Sequence, residues 1–104
     1  MNIKSLKLNN AFIVEPEIHS DNRGYFCESY NKKKLSNTLK KEITFVQDNY
    51  SLSNKNVLRG LHFQKKPKAQ GKLIKVTNGK IYDVIEDIRK SSSTFMQWEG
   101  IELS

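Results

Sequence analysis

Cysteine is nearly absent from this chain. Cys27 is the only one in 104 residues, which excludes an internal disulfide and any cysteine-based metal site built from this chain alone. A partly buried thiol is its expected role. Long hydrophobic runs are missing as well: no stretch approaches the roughly 20 apolar residues that a helical membrane span requires. The N-terminus also lacks the apolar core of a secretory signal, so the expectation is a soluble cytoplasmic protein with no membrane partner. Histidine occurs twice, and arginine three times against fifteen lysines. The lysines read as scattered over loops and strand edges, with no basic helix and no basic stripe interleaved with aromatics. Internal repeats, low-complexity segments and linkers are also lacking.

What is present fits one small domain spanning residues 1–104, with a hydrophobic fraction of 37% that allows a modest core. A net charge of +7 favours an anionic partner, which could be nucleic acid, a membrane surface or a phosphorylated small molecule. Composition does not choose among these. Arg23, Arg59 and Arg89 carry more information than the lysines, because a planar guanidinium suits positions where geometry matters. A bidentate phosphate clamp and a structural ion pair both explain such a choice.

Periodicity and turn chemistry predict mostly β-structure. Residues 3–8 alternate apolar and polar side chains and residues 11–14 form a short apolar run, which reads as two strands around an Asn9-Asn10 turn. Asp21-Asn22-Arg23-Gly24 reads as a turn before the aromatic-rich residues 25–30. Asn31 is a candidate cap for a helix through Leu39, with Leu35 and Leu39 one turn apart. Residues 44–52 are β-prone, 53–56 form a turn, and a central strand over 57–64 follows. Asn78-Gly79 between 72–77 and 80–88 is a two-residue hairpin signal, and residues 96–103 read as a last strand. Seven or eight short strands with one peripheral helix predict an antiparallel sandwich or barrel.

The central segment, Val57-Leu58-Arg59-Gly60-Leu61-His62-Phe63-Gln64, draws the chemistry together. An imidazole titrates near neutral pH and a guanidinium grips phosphate, so the pair suits proton transfer on an anionic substrate. A core histidine and a surface cation would explain the same octapeptide equally well. Arg59 and His62 lie three residues apart, which in a regular strand puts them on opposite faces. A shared pocket therefore requires a break in the period, and Gly60 is the natural place for a bulge or twist.

Taken in order, these segments resemble a known family. Arg23-Gly24 after an acidic turn, Phe45 to Asn49, Val57 to Gln64, Gln70 to Leu73, and Asp83-Val84 through Asp87 to Ser91 are similar to the dTDP-4-dehydrorhamnose 3,5-epimerases. The resemblance implies a cupin-type jelly roll, homodimers, and a reaction without metal or cofactor on a dTDP-4-keto-6-deoxy sugar, with no nucleic-acid partner. It implies His62 as the base that removes the proton next to the C4 ketone. It likewise implies Lys72 as the stabiliser of the resulting enolate. Arg23, Glu28, Gln47, Asp48, Asn49 and Arg59 match substrate-binding positions, and the arginine forks suit a diphosphate. Asp83 sits in a similar context without an assigned role.

Family members continue beyond the segment matched by residues 100–104, and the family's tyrosine general acid and the acidic partner of its base have no counterpart here. The expected jelly roll is therefore incomplete, with open sheet edges that dimerisation or strand exchange would cover. A non-catalytic binder of sugar nucleotides, or an interaction module, is the alternative reading. A small basic nucleic-acid binder is a third. Each candidate also has an ordinary explanation. Lys72 is one lysine among fifteen, Glu28 has lysines nearby in sequence, and residues 47–49 suit a polar strand end. Arg89 and Lys90 read as structural or solvent-facing, and Phe45, Tyr50, Phe63, Tyr82, Phe95 and Trp98 read as core.

Overall fold

The computed structural model describes all residues, 1–104, and is built from three antiparallel hairpins and one helix. β1 (Asn2–Ser5) pairs with β2 (Phe12–Glu15), β3 (Ile18–Asp21) with β4 (Gly24–Cys27), and β5 (Ile81–Glu86) with β6 (Trp98–Leu103). α1 (Lys32–Leu39) follows the second hairpin. The chain divides into two compact units, residues 1–43 with 75–104, and residues 44–74. All six strands and the helix belong to the first.

Local sequence accounts for each element of that unit. In the first hairpin Asn2 faces Glu15 and Ser5 faces Phe12, and Leu6 N donates to Ala11 O at 2.9 Å to close the loop. Asn10 takes φ 60°, a left-handed value that asparagine tolerates better than most residues, so the expected Asn9-Asn10 turn is present. On the same face, Lys4 Nζ lies 2.7 Å from Glu15 Oε1 across the strands. In the second hairpin Asp21 faces Gly24, which leaves Asn22-Arg23 as a two-residue connection. The Asp21 carboxylate accepts the Arg23 backbone N–H at 2.8 Å, and Gly24 takes φ 133°, which other residues rarely adopt. The strand preceding this turn, β3, was absent from the sequence-based expectation.

The helix forms where expected. The Asn31 side chain accepts the Lys34 N–H at 3.0 Å, and Leu35 turns inward to become one of two buried apolar residues. Lys40 ends the helix at φ 50° in the left-handed conformation usually given to glycine. One expectation fails here: Lys32, Lys33 and Lys34 open this helix and Lys40 and Lys41 follow it, so a basic helix does exist. Its first-turn lysines run against the helix dipole, and the reading by hydrophobic period had passed over them.

The third hairpin departs from expectation more instructively. Asn78-Gly79 predicts pairing of 72–77 with 80–88, yet β5 pairs with β6, from Ile81 opposite Leu103 to Glu86 opposite Trp98. A type I′ hairpin needs positive φ at both central residues, and only Gly79 adopts it, at 84°. The long β5–β6 connection is closed instead by Asp87. Its backbone N–H donates to Gln97 O at 2.9 Å and its carbonyl accepts from Met96 N at 2.6 Å. Its carboxylate, nearly inaccessible to solvent, accepts from Arg89 N (3.1 Å), Nε (2.8 Å) and Nη2 (2.8 Å), from Ser92 Oγ (2.5 Å) and from Thr94 Oγ1 (2.6 Å). Arg89 is thus structural, as its ordinary reading held.

This cluster also ties distant sequence together. Arg89 Nη2 donates to Asn9 O at 2.7 Å, Asn9 N donates to Thr94 Oγ1 at 3.1 Å, and Lys7 N donates to Glu99 Oε2 at 3.0 Å. The loop of the first hairpin is thereby bound to the third.

Residues 44–74 contain no strand or helix. The strands expected over 44–52, 57–64 and 72–77 are not formed, because a strand exists only where a second backbone completes its ladder. Backbone bonds within 44–74 include the turns Val57 N to Asn54 O (3.3 Å) and Lys68 N to Lys65 O (2.8 Å). The modest core is not realised either: Leu8 and Leu35 are the buried apolar residues, while Tyr50, Phe63, Tyr82, Phe95 and Trp98 are all exposed. Phe45 is half-buried, and so is Cys27, as expected for its thiol. Two-stranded ribbons have too little area to cover their own apolar side chains.

Two outcomes follow for stability. Asn31→Ala removes the cap and should cost about 1 kcal/mol in chemical denaturation. The guanidinium of Arg89, together with the hydroxyls of Ser92 and Thr94, holds the Asp87 carboxyl well below the usual carboxylate range. Its contribution is therefore complete above the ordinary aspartate pKa of about 3.9 and is lost as pH falls below that value. Asp87→Asn should lower the thermal midpoint by several degrees at neutral pH and flatten its decline in acid, as followed by circular dichroism.

Candidate active site

Two of the eight candidate residues lie at the ends of β4, and the other six lie in the unit 44–74. Arg23 sits in the two-residue turn before β4, and its guanidinium is already engaged. Nε donates to Asp21 Oδ2 at 3.1 Å and Nη2 to the same oxygen at 2.6 Å. The Asp21 carboxylate raises the Arg23 pKa, and Arg23 in turn lowers that of Asp21. The pair is well exposed, so an anionic ligand has only a solvent-screened partner to displace.

Glu28 follows β4 and faces the first turn of α1. Lys34 Nζ lies 2.7 Å from its Oε1 and Asn31 Nδ2 donates to its Oε2 at 3.1 Å; Lys34 first, then Asn31, hold its carboxyl below the usual range. The nearby lysine anticipated from sequence is therefore present. Asn31 serves two ends at once, its amide oxygen capping the helix while its amide nitrogen holds Glu28.

Within 44–74 the polar triplet is partly self-satisfied: Gln47 Nε2 donates to Asn49 Oδ1 at 3.0 Å, and Asp48 is exposed. Arg59 folds back onto the preceding turn, with Nε donating to Ser53 Oγ at 2.8 Å and Nη2 to Leu52 O at 3.1 Å. His62 and Lys72 are exposed, and no hydrogen bond or ion pair joins either of them to Arg59 or to each other. Gly60 takes a positive φ of 97°, but no strand forms over 57–64, so the bulge expected within that strand is absent. Asp83, in β5, faces Ile101 across the ladder.

A cavity of about 630 Å³ lies against α1, bordered by Lys32, Lys33, Lys40 and Lys41, and touches none of the eight candidates. It is an open groove lined also by Ser36, Asn37 and Glu42. No cluster of three histidine, cysteine, aspartate or glutamate side chains is arranged to hold a metal ion.

The arrangement gains meaning from relatives. A family profile described as dTDP-4-dehydrorhamnose 3,5-epimerase matches residues 5–104. The chain belongs to this family. The Salmonella typhimurium enzyme of that name is 52% identical over 95 residues, covering 91% of this chain and 52% of its own length. The Escherichia coli enzyme is 45% identical over the whole chain and 56% of its own length.

Solved structures agree with this placement. The crystal structure of the Elizabethkingia anophelis epimerase superposes with a TM-score of 0.96 at 44% identity, over all of this chain and 57% of that one. The Bacillus anthracis epimerase, crystallised with TDP and pyrophosphate bound, gives 0.91 at 52% identity over 99% of this chain and 59% of its own. Mainly β, antiparallel and cupin-like is thus the fold class of the epimerase family to which this chain belongs. The chain spans a little over half the length of the relatives it matches. Apolar residues that reach 90% exposure or more, such as Val46, Leu52 and Leu58, belong to a segment that buries little by itself.

Because the Glu28–Lys34 pair is only half-buried, Glu28→Gln should lower the thermal midpoint of this epimerase-family chain only slightly. Any weakening of nucleotide binding in that variant, measured by calorimetry, would then report on the site and not on folding.

Proposed function

We propose that this chain carries the proton-abstracting part of a cofactor-independent 3,5-epimerase that converts dTDP-4-dehydro-6-deoxy-D-glucose to dTDP-4-dehydro-L-rhamnose. The reading is supported by one observation above all, the continuous family match over residues 5–104, which contains every candidate residue. A crystal structure of the Legionella pneumophila relative, 47% identical to this chain, is a complex with dTDP-4-keto-L-rhamnose.

The chemistry assigns each side chain a step. His62 takes the proton from the carbon next to the C4 ketone, and the bonding electrons pass to the ketone oxygen as an enolate. The Lys72 ammonium stabilises that oxygen as negative charge develops. His62 gives its proton to solvent, a proton from solvent delivered to the opposite face of the carbon inverts it and restores the ketone, and the same sequence at the second carbon completes the reaction. Arg23 and Arg59 hold the diphosphate, their guanidinium forks exchanging Asp21 and the Leu52-Ser53 turn for phosphate oxygens. Glu28, Gln47, Asp48 and Asn49 bind the remainder of the substrate. No metal or cofactor is required, because the ketone itself acidifies the neighbouring C–H bonds.

Residues 1–104 belong, in this reading, to a single cupin-type domain. The protein acts as a homodimer, which the many exposed large apolar side chains favour, since a second chain would bury them. A cytoplasmic location suits both the nucleotide-sugar substrate and the free Cys27.

The test is solvent exchange. In heavy water the chain should introduce deuterium next to the ketone of dTDP-4-keto-6-deoxyglucose, read by mass spectrometry, and His62→Ala should slow this by about 10²- to 10⁴-fold. A folded wild-type chain that binds the nucleotide without exchange overturns the catalytic reading and leaves a sugar-nucleotide binder.

A further inference from the structure

The segment around His62 holds one feature that the assignment of roles leaves unused. Gly60 lies two residues before the histidine and adopts φ 97°, a conformation that L side chains rarely take. The space beside it is occupied. A Cβ added at residue 60 would stand 3.1 Å from His62 Nδ1, 3.4 Å from the His62 backbone nitrogen and 3.6 Å from Cε1. Two of these three atoms belong to the imidazole, so the ring lies on the side of Gly60 where an L side chain would project. An added Cβ at Gly24, Gly71 or Gly79 would meet nothing within 4 Å, whereas at Gly100 it would meet the ring of Tyr82.

We infer that Gly60 is a positioning residue for His62: its missing side chain leaves open the seat in which the imidazole lies. The inference rests on the reading of His62 as the base. An exposed histidine without a hydrogen-bonding partner would otherwise sample several staggered rotamers. Seating of the ring in the space beside Gly60 restricts those rotamers, while the residue stays exposed to solvent. A methyl group at 3.1 Å from Nδ1 is closer than van der Waals contact permits without movement, and the ring, being the far end of a rotatable side chain, is what moves.

Imidazole NMR on the intact chain tests this, and the presence of only two histidines makes the spectrum easy to assign. His19, in β3, belongs to the other unit and serves as internal reference. The wild-type chain should show nuclear Overhauser contacts between the Gly60 α-protons and the His62 ring protons. In Gly60→Ala those contacts should vanish and the His62 ring ¹H and ¹⁵N shifts should move, while those of His19 stay. A D-alanine at position 60, introduced by chemical ligation, keeps the positive φ and carries its methyl on the other side of the α-carbon. It should retain the wild-type His62 shifts.

Unchanged His62 shifts in Gly60→Ala, or equal displacement by the L- and D-alanine variants, would overturn the inference. If Gly60→Ala fails to fold, the wild-type Overhauser contact decides, and its absence is equally fatal. None of these readouts depends on turnover. The seat can therefore fail while His62 remains the base, and exchange chemistry can fail while the seat stands.

Discussion

Asp87 is the constraint on which the ordered unit depends. Its backbone closes the neck of the β5–β6 connection, and its carboxylate gathers an arginine and two hydroxyls into one nearly water-free cluster. Burial of a carboxylate is tolerable only when donors replace its lost water, and here they do. Arg89, oriented by that carboxylate, then reaches Asn9 and joins the first hairpin to the third, so two ends of the chain are held by a polar cluster and not by a core.

That reliance follows from how little apolar surface the hairpins can cover. Each strand pairs with one partner only, so no sheet exceeds two strands and no face is wide enough to shield its side chains. Buried apolar contacts are confined to Leu8 and Leu35. In the third hairpin Tyr82 lies directly over Gly100, a position where any Cβ would collide with its hydroxyl end. The ring covers the glycine but remains mostly exposed to water. Residues 44–74 are at the extreme of this condition, and they also carry His62, Lys72 and Arg59. The segment proposed for chemistry is therefore the one with the least structure of its own. The Salmonella typhimurium and Escherichia coli relatives are nearly twice as long as this chain.

Local chemistry was legible at several places where it closes within a short stretch of chain. Asn31 as a cap, Asp21 to Gly24 as a turn, and the first hairpin could be read because the interacting groups lie two to thirteen residues apart, and their donors and acceptors are fixed by residue type. The ion pair of Arg23 with Asp21 has the same short range, and a structural ion pair is one of the two readings that the sequence leaves open for this arginine. The Asp87 cluster was within reach too, since Ser92 and Thr94 follow closely, but nothing in its spacing announces that the same arginine also binds Asn9.

By itself the sequence determined family membership, the mainly β character, the single helix with its cap, and the set of residues to which chemistry can be assigned. These depend on residue identity and short spacing. Tertiary structure decided which strand β5 pairs with, which apolar residues are buried, and which of the arginines serves as a structural strut. Those outcomes depend on backbone groups far apart in the chain finding one another. A β-prone run carries no information about its partner, and without one it remains, as residues 57–64 do, a strand in propensity only.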